Sequence, residues 1–322
     1  MVLFKFCDLI IESNIALGTA AAEEVPSDWL FRAIPDVTPS PNSFEWFHQI
    51  NLPDSTPWLL LGRQGKSYVL RFLDLADFVI SIEERVIDCF YQSICSVETV
   101  THLLIDQVLP RLVYQQGRLV LHASAVLGPN GVIAFLGDTG WGKSTIAASL
   151  CSYGFPHLTD DCLLLVVENG QLMAIPSYSG FRLWSDSISA IFPQGRSLSN
   201  VAHYTDKQRI SADDGALPFC GDRAPVQAFY FLGSPEADPG QSTATISQVS
   251  DHEALIEFAK QTYRLDVTDR ERLKEEFESL AYLANNSVLR RVTIPRDLSY
   301  LPNACQTIVD DLMAIGSVAL VH

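Results

Sequence analysis

The residues Gly137-Asp138-Thr139-Gly140-Trp141-Gly142-Lys143-Ser144 fill every fixed position of a G-x-x-x-x-G-K-[ST] phosphate loop. The chemistry of that spacing is specific. Glycines let the backbone turn its N–H groups toward nucleotide phosphates, the Lys reaches the terminal phosphates, and the hydroxyl takes a place on Mg²⁺. A second acidic motif, Asp160-Asp161, follows one helix and one turn later. Phosphoryl transfer needs a group to receive the acceptor's proton and a group to hold the metal ion. One carboxylate of the pair suits general base or metal ligand, and the other suits its partner. Successive residues of a strand point to opposite faces, so the two cannot share one role. His122 lies on a strand-like run and can hydrogen-bond Asp160, setting its orientation. Glu168, at the end of an apolar run, is a competing metal ligand, but Asn169-Gly170 makes it a hairpin residue turned away from the site.

The elements that must position these groups can be read from the pattern. Residues 131–136 form an apolar strand feeding the loop, and 144–150 form the helix whose N-terminus adds partial positive charge at the phosphate. Residues 118–126 read as a strand joined to 131–136 by Gly128-Pro129-Asn130-Gly131, so an antiparallel strand lies beside the loop strand in a mixed sheet. Residues 97–116 carry apolar side chains at helical spacing, with Pro110 as a kink or an early end. The C-terminal third is helical, with Thr268-x-x-Glu271 as a capping box. Residues 193–225 are rich in Gly, Pro, Ser and Asp and read as surface loop. Within them, 195–222 is expected to be a mobile cover over the site. Residues 1–95 show short alternating strands and no cluster of chemical groups. The expected domains are therefore a small β-rich domain at 1–95 and a phosphate-loop domain at 96–322.

Composition narrows the partners. A formal net charge of −16 disfavours nucleic acid and anionic membranes, while a phosphate loop still binds nucleotide through local donors. Seven scattered cysteines without a C-x-x-C pair exclude a zinc framework and fit a reducing cytoplasm. No apolar run is long enough for a membrane helix. Asp8 and Glu12 interrupt the stretch that would otherwise read as a signal peptide.

Leu121-His122-Ala123-Ser124, the phosphate loop and Thr159-Asp160-Asp161, in this order and spacing, resemble the bacterial HPr kinase/phosphorylase family and especially its divergent HPr-kinase-like members. The resemblance spans about residues 97–322, with Pro176–Trp184 and Lys207-Gln208-Arg209 as further, weaker matches. It implies a fold related to phosphoenolpyruvate carboxykinase: an α/β domain whose mixed sheet carries the phosphate loop. It implies an ATP-dependent serine kinase using ATP and magnesium. Asp160 would be the catalytic base, His122 its partner, Lys143 the phosphate-binding cation, and Ser144 and Asp161 the metal residues. Residues Gly137 to Thr145 would hold the nucleotide, and Arg182, Lys207 and Arg209 are candidate substrate contacts. In place of the Arg-Gly-Leu-Gly-type segment of bifunctional members the chain has Gly180-Phe181-Arg182-Leu183. Phosphorylase activity and the second metal ligand therefore stay unassigned.

Divergent members resemble kinases that tailor ribosomal peptides, including lasso peptides, at a serine. The expected partner is thus a peptide or protein substrate docked on residues 1–95; the alternative is that those residues only pack against the kinase core or mediate self-association into a homo-oligomer. Two other readings share the loop: a nucleotide-dependent switch or sensor, and a kinase of small-molecule hydroxyls. A carboxykinase-like lyase would need metal-binding His and Lys residues that the sequence does not offer.

Overall fold

A computed structural model describes residues 1–18, 25–37, 44–52, 54–92, 94–178, 180–192, 199–202, 205–210, 217–233, 243–295 and 297–319. The chain divides into two compact units, one built from 1–117, 201–205 and 263–273, the other from 118–200, 206–262 and 274–322.

The first unit carries an eight-stranded sheet. Its strands are β1 (Val2–Phe6), β2 (Leu9–Ser13), β3 (Trp29–Pro35), β4 (Glu45–Asn51), β5 (Pro57–Gln64), β6 (Ser67–Phe72), β7 (Ala76–Ser81) and β8 (Val86–Tyr91), in the order β1-β2-β3-β8-β7-β6-β5-β4. Period-2 burial sets one face inward: Trp29, Phe31 and Ala33 are buried while Arg32 between them is exposed. Phe31, Phe72 and Phe78 form its aromatic centre, with ring centroids 6.4 Å and 5.8 Å apart along the chain of contacts. Each such ring stabilises the fold by about 2–3 kcal/mol through burial alone.

The helical stretch after β8 belongs to this unit. α1 (Val97–Leu103) and α2 (Leu109–Gln115) are joined by one π-helical turn at Leu104–Val108. Ser96 caps α1 by accepting the Thr99 N–H at 3.2 Å. Pro110 falls in the first turn of α2, where its missing N–H costs little, and the wide turn before it absorbs the ring. The edge of the unit falls at Gly117 and not before residue 97. The reason is local packing: the Arg111 guanidinium lies 5.3 Å over the Tyr263 ring, and Arg272 donates to the Tyr114 carbonyl at 2.7 Å. The expected cap at Thr268 moves one residue. Asp269 accepts the Arg272 N–H at 3.0 Å, and Thr268 bonds Asp266 instead.

The second unit is a mixed α/β layer. The strands from residue 118 onward are β9 (Leu119–Leu121), β10 (Ala123–Gly128), β11 (Gly131–Leu136), β12 (His157–Thr159), β13 (Leu163–Glu168), β14 (Gln171–Ile175), β15 (Phe181–Leu183), β16 (Ser199–Ala202), β17 (Thr205–Ile210), β18 (Ala224–Leu232), β19 (Thr245–Gln248) and β20 (Leu289–Thr293), all in this unit except residues 201–202 of β16 and Thr205 of β17. The main sheet runs β12-β10-β11-β18-β14-β13-β9, with β20 also on β18 and β19 on β20. The loop strand β11 has β10 antiparallel on one side and β18 parallel on the other. The helices are α3 (Lys143–Ser152), α4 (Ser185–Ile191), α5 (Asp251–Lys260), α6 (Arg270–Asn286), whose residues before Lys274 belong to the first unit, and α7 (Leu301–Ala319). Alternation along the strands feeds two cores. Ile133, Phe135 and Tyr230 meet Ile146 of α3 and Ile308 of α7 on one face. Val132, Ala134 and Phe229 meet Phe258 of α5 and Leu283 of α6 on the other. The region read as surface loop contains strands β16 and β17, which form a three-stranded sheet in the order β15-β17-β16. Of the remainder of the expected cover, 195–198, 203–204 and 211–216 lie outside the described residues, whereas 217–222 is described and bridges β12 between Phe219 and His157.

Candidate active site

The phosphate loop starts where β11 ends. Gly137 takes φ +150, and a Cβ there would meet the Leu232 Cβ at 3.1 Å and the Trp141 ring at 3.3 Å. Gly142, at φ +94, is the N-cap of α3 and has no side chain to cap it. The first-turn N–H groups of α3 have no intrahelical partners, and the helix dipole adds positive charge at the same point. Lys143 is buried, and its ammonium donates to the carbonyls of Gly137 at 2.8 Å and Asp138 at 3.3 Å. Burial holds it below the ordinary lysine value, against the raising influence of Asp161 and Asp160. Thr139 through Thr145 line a cleft of about 480 Å³, whose other walls include His122, Asp161, Arg182 and Lys207. Gly137 and Asp138 are not among its lining residues; their carbonyls accept from Lys143.

The acid pair sits on a turn and not within a strand. β12 ends at Thr159, Asp161 adopts the left-handed conformation at φ +62, and Cys162 N–H bonds back to the Asp160 carbonyl at 2.8 Å. Positive φ is uncommon for a residue with a side chain and is best tolerated by Asn and Asp. It gives the neighbours different surroundings. Asp160 is fully buried. It accepts from the Ser124 hydroxyl at 2.5 Å, from the Arg182 backbone N–H at 3.1 Å, and from the Ser144 hydroxyl of the phosphate loop. Burial and then the Asp161 charge raise its pKa, and those three donors only partly offset the rise.

Asp161 opens onto the cleft. His122 Nε2 lies 3.1 Å from its Oδ1, and Arg182 Nη1 lies 3.5 Å from its Oδ2. Burial pushes the Asp161 carboxyl up, but the His122 hydrogen bond and charge, followed by Lys207 and Arg182, together hold it well below the usual range. With that carboxylate ionised, Nε2 of His122 carries the proton and donates it. Burial and Lys143 hold the imidazole itself below its ordinary value, against the raising influence of the Asp161 hydrogen bond and charge.

The partner expected for His122 is therefore wrong by one residue: it meets Asp161 and not Asp160. The run 118–126 is not one strand. It breaks at His122, which separates β9, on β13, from β10, on β11. The His122 N–H leaves both ladders and bonds the Gln261 carbonyl at 2.7 Å. That break sets the ring in the cleft wall.

No protein-family profile matches this chain. No curated protein matches it either. Among solved structures it is similar to the Hpr(Ser) kinase/phosphatase from Coxiella burnetii, at 13% identity and a TM-score of 0.33, over 63% of this chain and 98% of that one. A likeness at that score carries no functional weight, so the roles below rest on the geometry of the site.

Of the three candidate substrate cations, two reach the cleft. Arg182 is buried beside Asp161, its guanidinium 4.8 Å over the Tyr178 ring, and Lys207 stands 5.7 Å over the Trp184 ring. Arg209 is paired with Arg182 across β15 and β17 and is not among the cleft-lining residues. Glu168 ends β13, pairs with Gln171 across the hairpin and bonds Arg223, away from the cleft. Ser124 was not singled out by its sequence context, although Leu121-His122-Ala123-Ser124 places it two residues from His122. Among the described residues no group of three or more His, Cys, Asp and Glu side chains could hold a metal ion alone. Magnesium is ordinarily held by one or two carboxylates together with substrate phosphates and water; of the expected metal residues, Ser144 and Asp161 both line the cleft, whereas Asp160 is fully buried behind the Ser144 hydroxyl. No helix among the described residues is long and apolar enough to cross a membrane.

Proposed function

We propose that the protein is an ATP- and magnesium-dependent kinase that phosphorylates a serine hydroxyl of a peptide or protein. The observation that carries this reading is the placement of His122 and Asp161 in the wall of the same cleft as the phosphate loop. ATP supplies the transferable phosphoryl group, and magnesium offsets its charge. The N–H groups of 139–145 and the Lys143 ammonium hold the phosphates. The Ser144 hydroxyl would help hold the magnesium ion, with Asp160 orienting that hydroxyl from the buried side.

Asp161, in place of the Asp160 that the resemblance implies, orients the acceptor hydroxyl and receives its proton, because Asp160 is fully buried and only Asp161 lines the cleft. A loose transition state asks for little proton removal before the phosphoryl group moves, so an ionised, fixed carboxylate suits the task even though it is a weak base. His122 fixes that carboxylate from one side and Arg182 from the other. The acceptor class rests on the resemblance to HPr-kinase-like proteins noted in the sequence. It is supported by the first unit, whose sheet ends in strands β1 and β4. Sheet edges can add an extended peptide as a further strand. The net charge of −16 favours basic or neutral peptides over anionic metabolites.

Incubation with γ-labelled ATP·Mg²⁺ and a library of serine-, threonine- and tyrosine-bearing peptides tests the reading. Label is expected on serine. Label on small alcohols alone would overturn the peptide reading. Tight ATP binding without transfer to any acceptor would favour the nucleotide-dependent switch.

A further inference from the structure

The cleft wall is of two kinds. His122, Asp161 and Arg182, all charged or ionisable, touch one another in one part of it. Ile294, Pro295, Leu298 and Leu301, whose side chains carry no polar atom, form another part. Next to the phosphate loop the Thr145 hydroxyl lies 3.2 Å from the Ser187 hydroxyl, which joins the first turn of α3 to α4, and α4 in turn packs on the helical turn at Leu298–Tyr300. Asp186 lines the cleft one residue earlier and is exposed. Trp184 precedes α4 as its N-cap, 44% exposed, and lines the cleft as well.

A soluble chain gains nothing by leaving apolar side chains on a cleft wall unless a ligand covers them. Ile294, Pro295 and Leu298 are only half-buried, whereas Leu301 is rooted in the core beneath them. The sequence of surfaces runs from N–H donors at the phosphate loop, through a hydroxyl and a carboxylate on α4, to a patch without polar side-chain atoms. A nucleoside triphosphate presents its parts in that order: phosphates, a diol that a carboxylate can accept from, and a flat apolar base.

We infer that Ile294, Pro295, Leu298 and Leu301, with Trp184 beside them, form a nucleobase subsite, and that Asp186 and Ser187 take the ribose hydroxyls. This inference rests on the reading of the phosphate loop as a nucleotide site. The nucleotide then runs from the acceptor end of the cleft, at Asp161, toward the short helical turn at Leu298–Tyr300 that precedes α7. The polarity leaves the charged cluster of His122, Asp161 and Arg182 to the acceptor, and Lys207, 5.7 Å over the Trp184 ring, lies between the two.

Inorganic tripolyphosphate, which has no sugar or base, separates the two claims. Binding of ATP·Mg²⁺ and of tripolyphosphate·Mg²⁺ is measured by calorimetry on the full chain carrying Trp184→Ala or Leu298→Ala. Both positions are partly exposed, so the fold is expected to survive, and a thermal melt of each variant checks it. Base stacking on an aromatic ring contributes roughly five- to a hundredfold in affinity, so Trp184→Ala is expected to weaken ATP about tenfold. Leu298→Ala is expected to weaken it roughly fivefold through lost apolar contact. Tripolyphosphate is expected to bind both variants within about twofold of the unaltered protein, since phosphate contacts stay intact. Equal ATP affinity in both variants would overturn the subsite while leaving the phosphate loop standing. Failure of the unaltered protein to bind either ligand would overturn the phosphate-loop reading, and the subsite with it.

Discussion

The two units use charge in opposite ways. In the first, acids and bases face each other across neighbouring strands in register. Arg32 pairs with Asp88, Arg71 with Asp77 and Arg63 with Glu45, and each pair is also a backbone partner in its ladder. Such charges neutralise one another locally and hold sheet register. In the second unit Lys143, Arg182, Lys207, Asp161 and His122 converge on one cleft, and Asp160 backs it from inside. Several of these groups titrate away from their ordinary values, with burial as the leading cause for Lys143, His122 and Asp160. Paired cross-strand charges serve the fold, whereas charges gathered around a phosphate loop serve a ligand.

The contrast can be broken by substitution, beginning with the largest effect. Arg71→Ala strands a carboxylate, Asp77, that is 6% exposed. Removing one partner of a buried pair costs about 3 kcal/mol, so urea denaturation should show that loss with ATP affinity unchanged. Arg32→Ala, at a more exposed pair, should cost under about 1 kcal/mol. Equal costs at the two pairs, or a change in ATP affinity, would undo the division between structural and ligand-directed charge. Lys143→Ala should do the reverse. At an ATP·Mg²⁺ concentration about 100-fold above Kd, the unaltered protein gains about 2.7 kcal/mol from ligand, and the variant should lose nearly all of it. Full thermal stabilisation by ATP·Mg²⁺ in that variant would remove the loop from the account.

The third effect is smaller and depends on pH. His157 is fully buried on β12, its ring 3.9 Å from that of Phe181, and burial pushes its pKa down to about 3. The unfolded imidazole takes a proton near pH 6.5 while the folded one resists it. Stability from this residue is therefore present above about pH 6.5 and is lost as pH falls toward 3. At about pH 5 the loss should reach about 2 kcal/mol relative to neutral pH. His157→Phe should remove that part of the pH dependence, and parallel profiles for the two proteins would refute it.

Much of the second unit was legible because its signals are local. The phosphate loop, its strand and its helix follow one another, and the Asn169-Gly170 hairpin, at φ +53 and +78, needs only neighbours to form. The pairing of His122 was not legible, because it depends on a strand break and on the left-handed turn at Asp161. Strands β16 and β17 were hidden in a Gly/Ser/Asp-rich segment, where pairing with β15 overrides weak strand propensity. Assignment of 97–115 to the first unit required contacts from 263–273, distant in sequence. The apolar end of the cleft combines residues before α4 and before α7, a pairing that no spacing in the chain announces.

The central claim is that two adjacent acids hold different tasks: Asp161 faces the acceptor and Asp160 backs Ser144. Phosphoryl transfer from ATP to a serine peptide, followed as a function of Mg²⁺ concentration in Asp160→Asn and Asp161→Asn, tests it most directly. Asp161→Asn should lose about 10²- to 10⁴-fold in kcat at every Mg²⁺ concentration, with ATP·Mg²⁺ binding retained. Asp160→Asn should need more Mg²⁺ and recover activity as the ion is raised. Transfer by Asp161→Asn at the unaltered rate, or rescue of that variant by Mg²⁺, would contradict the account.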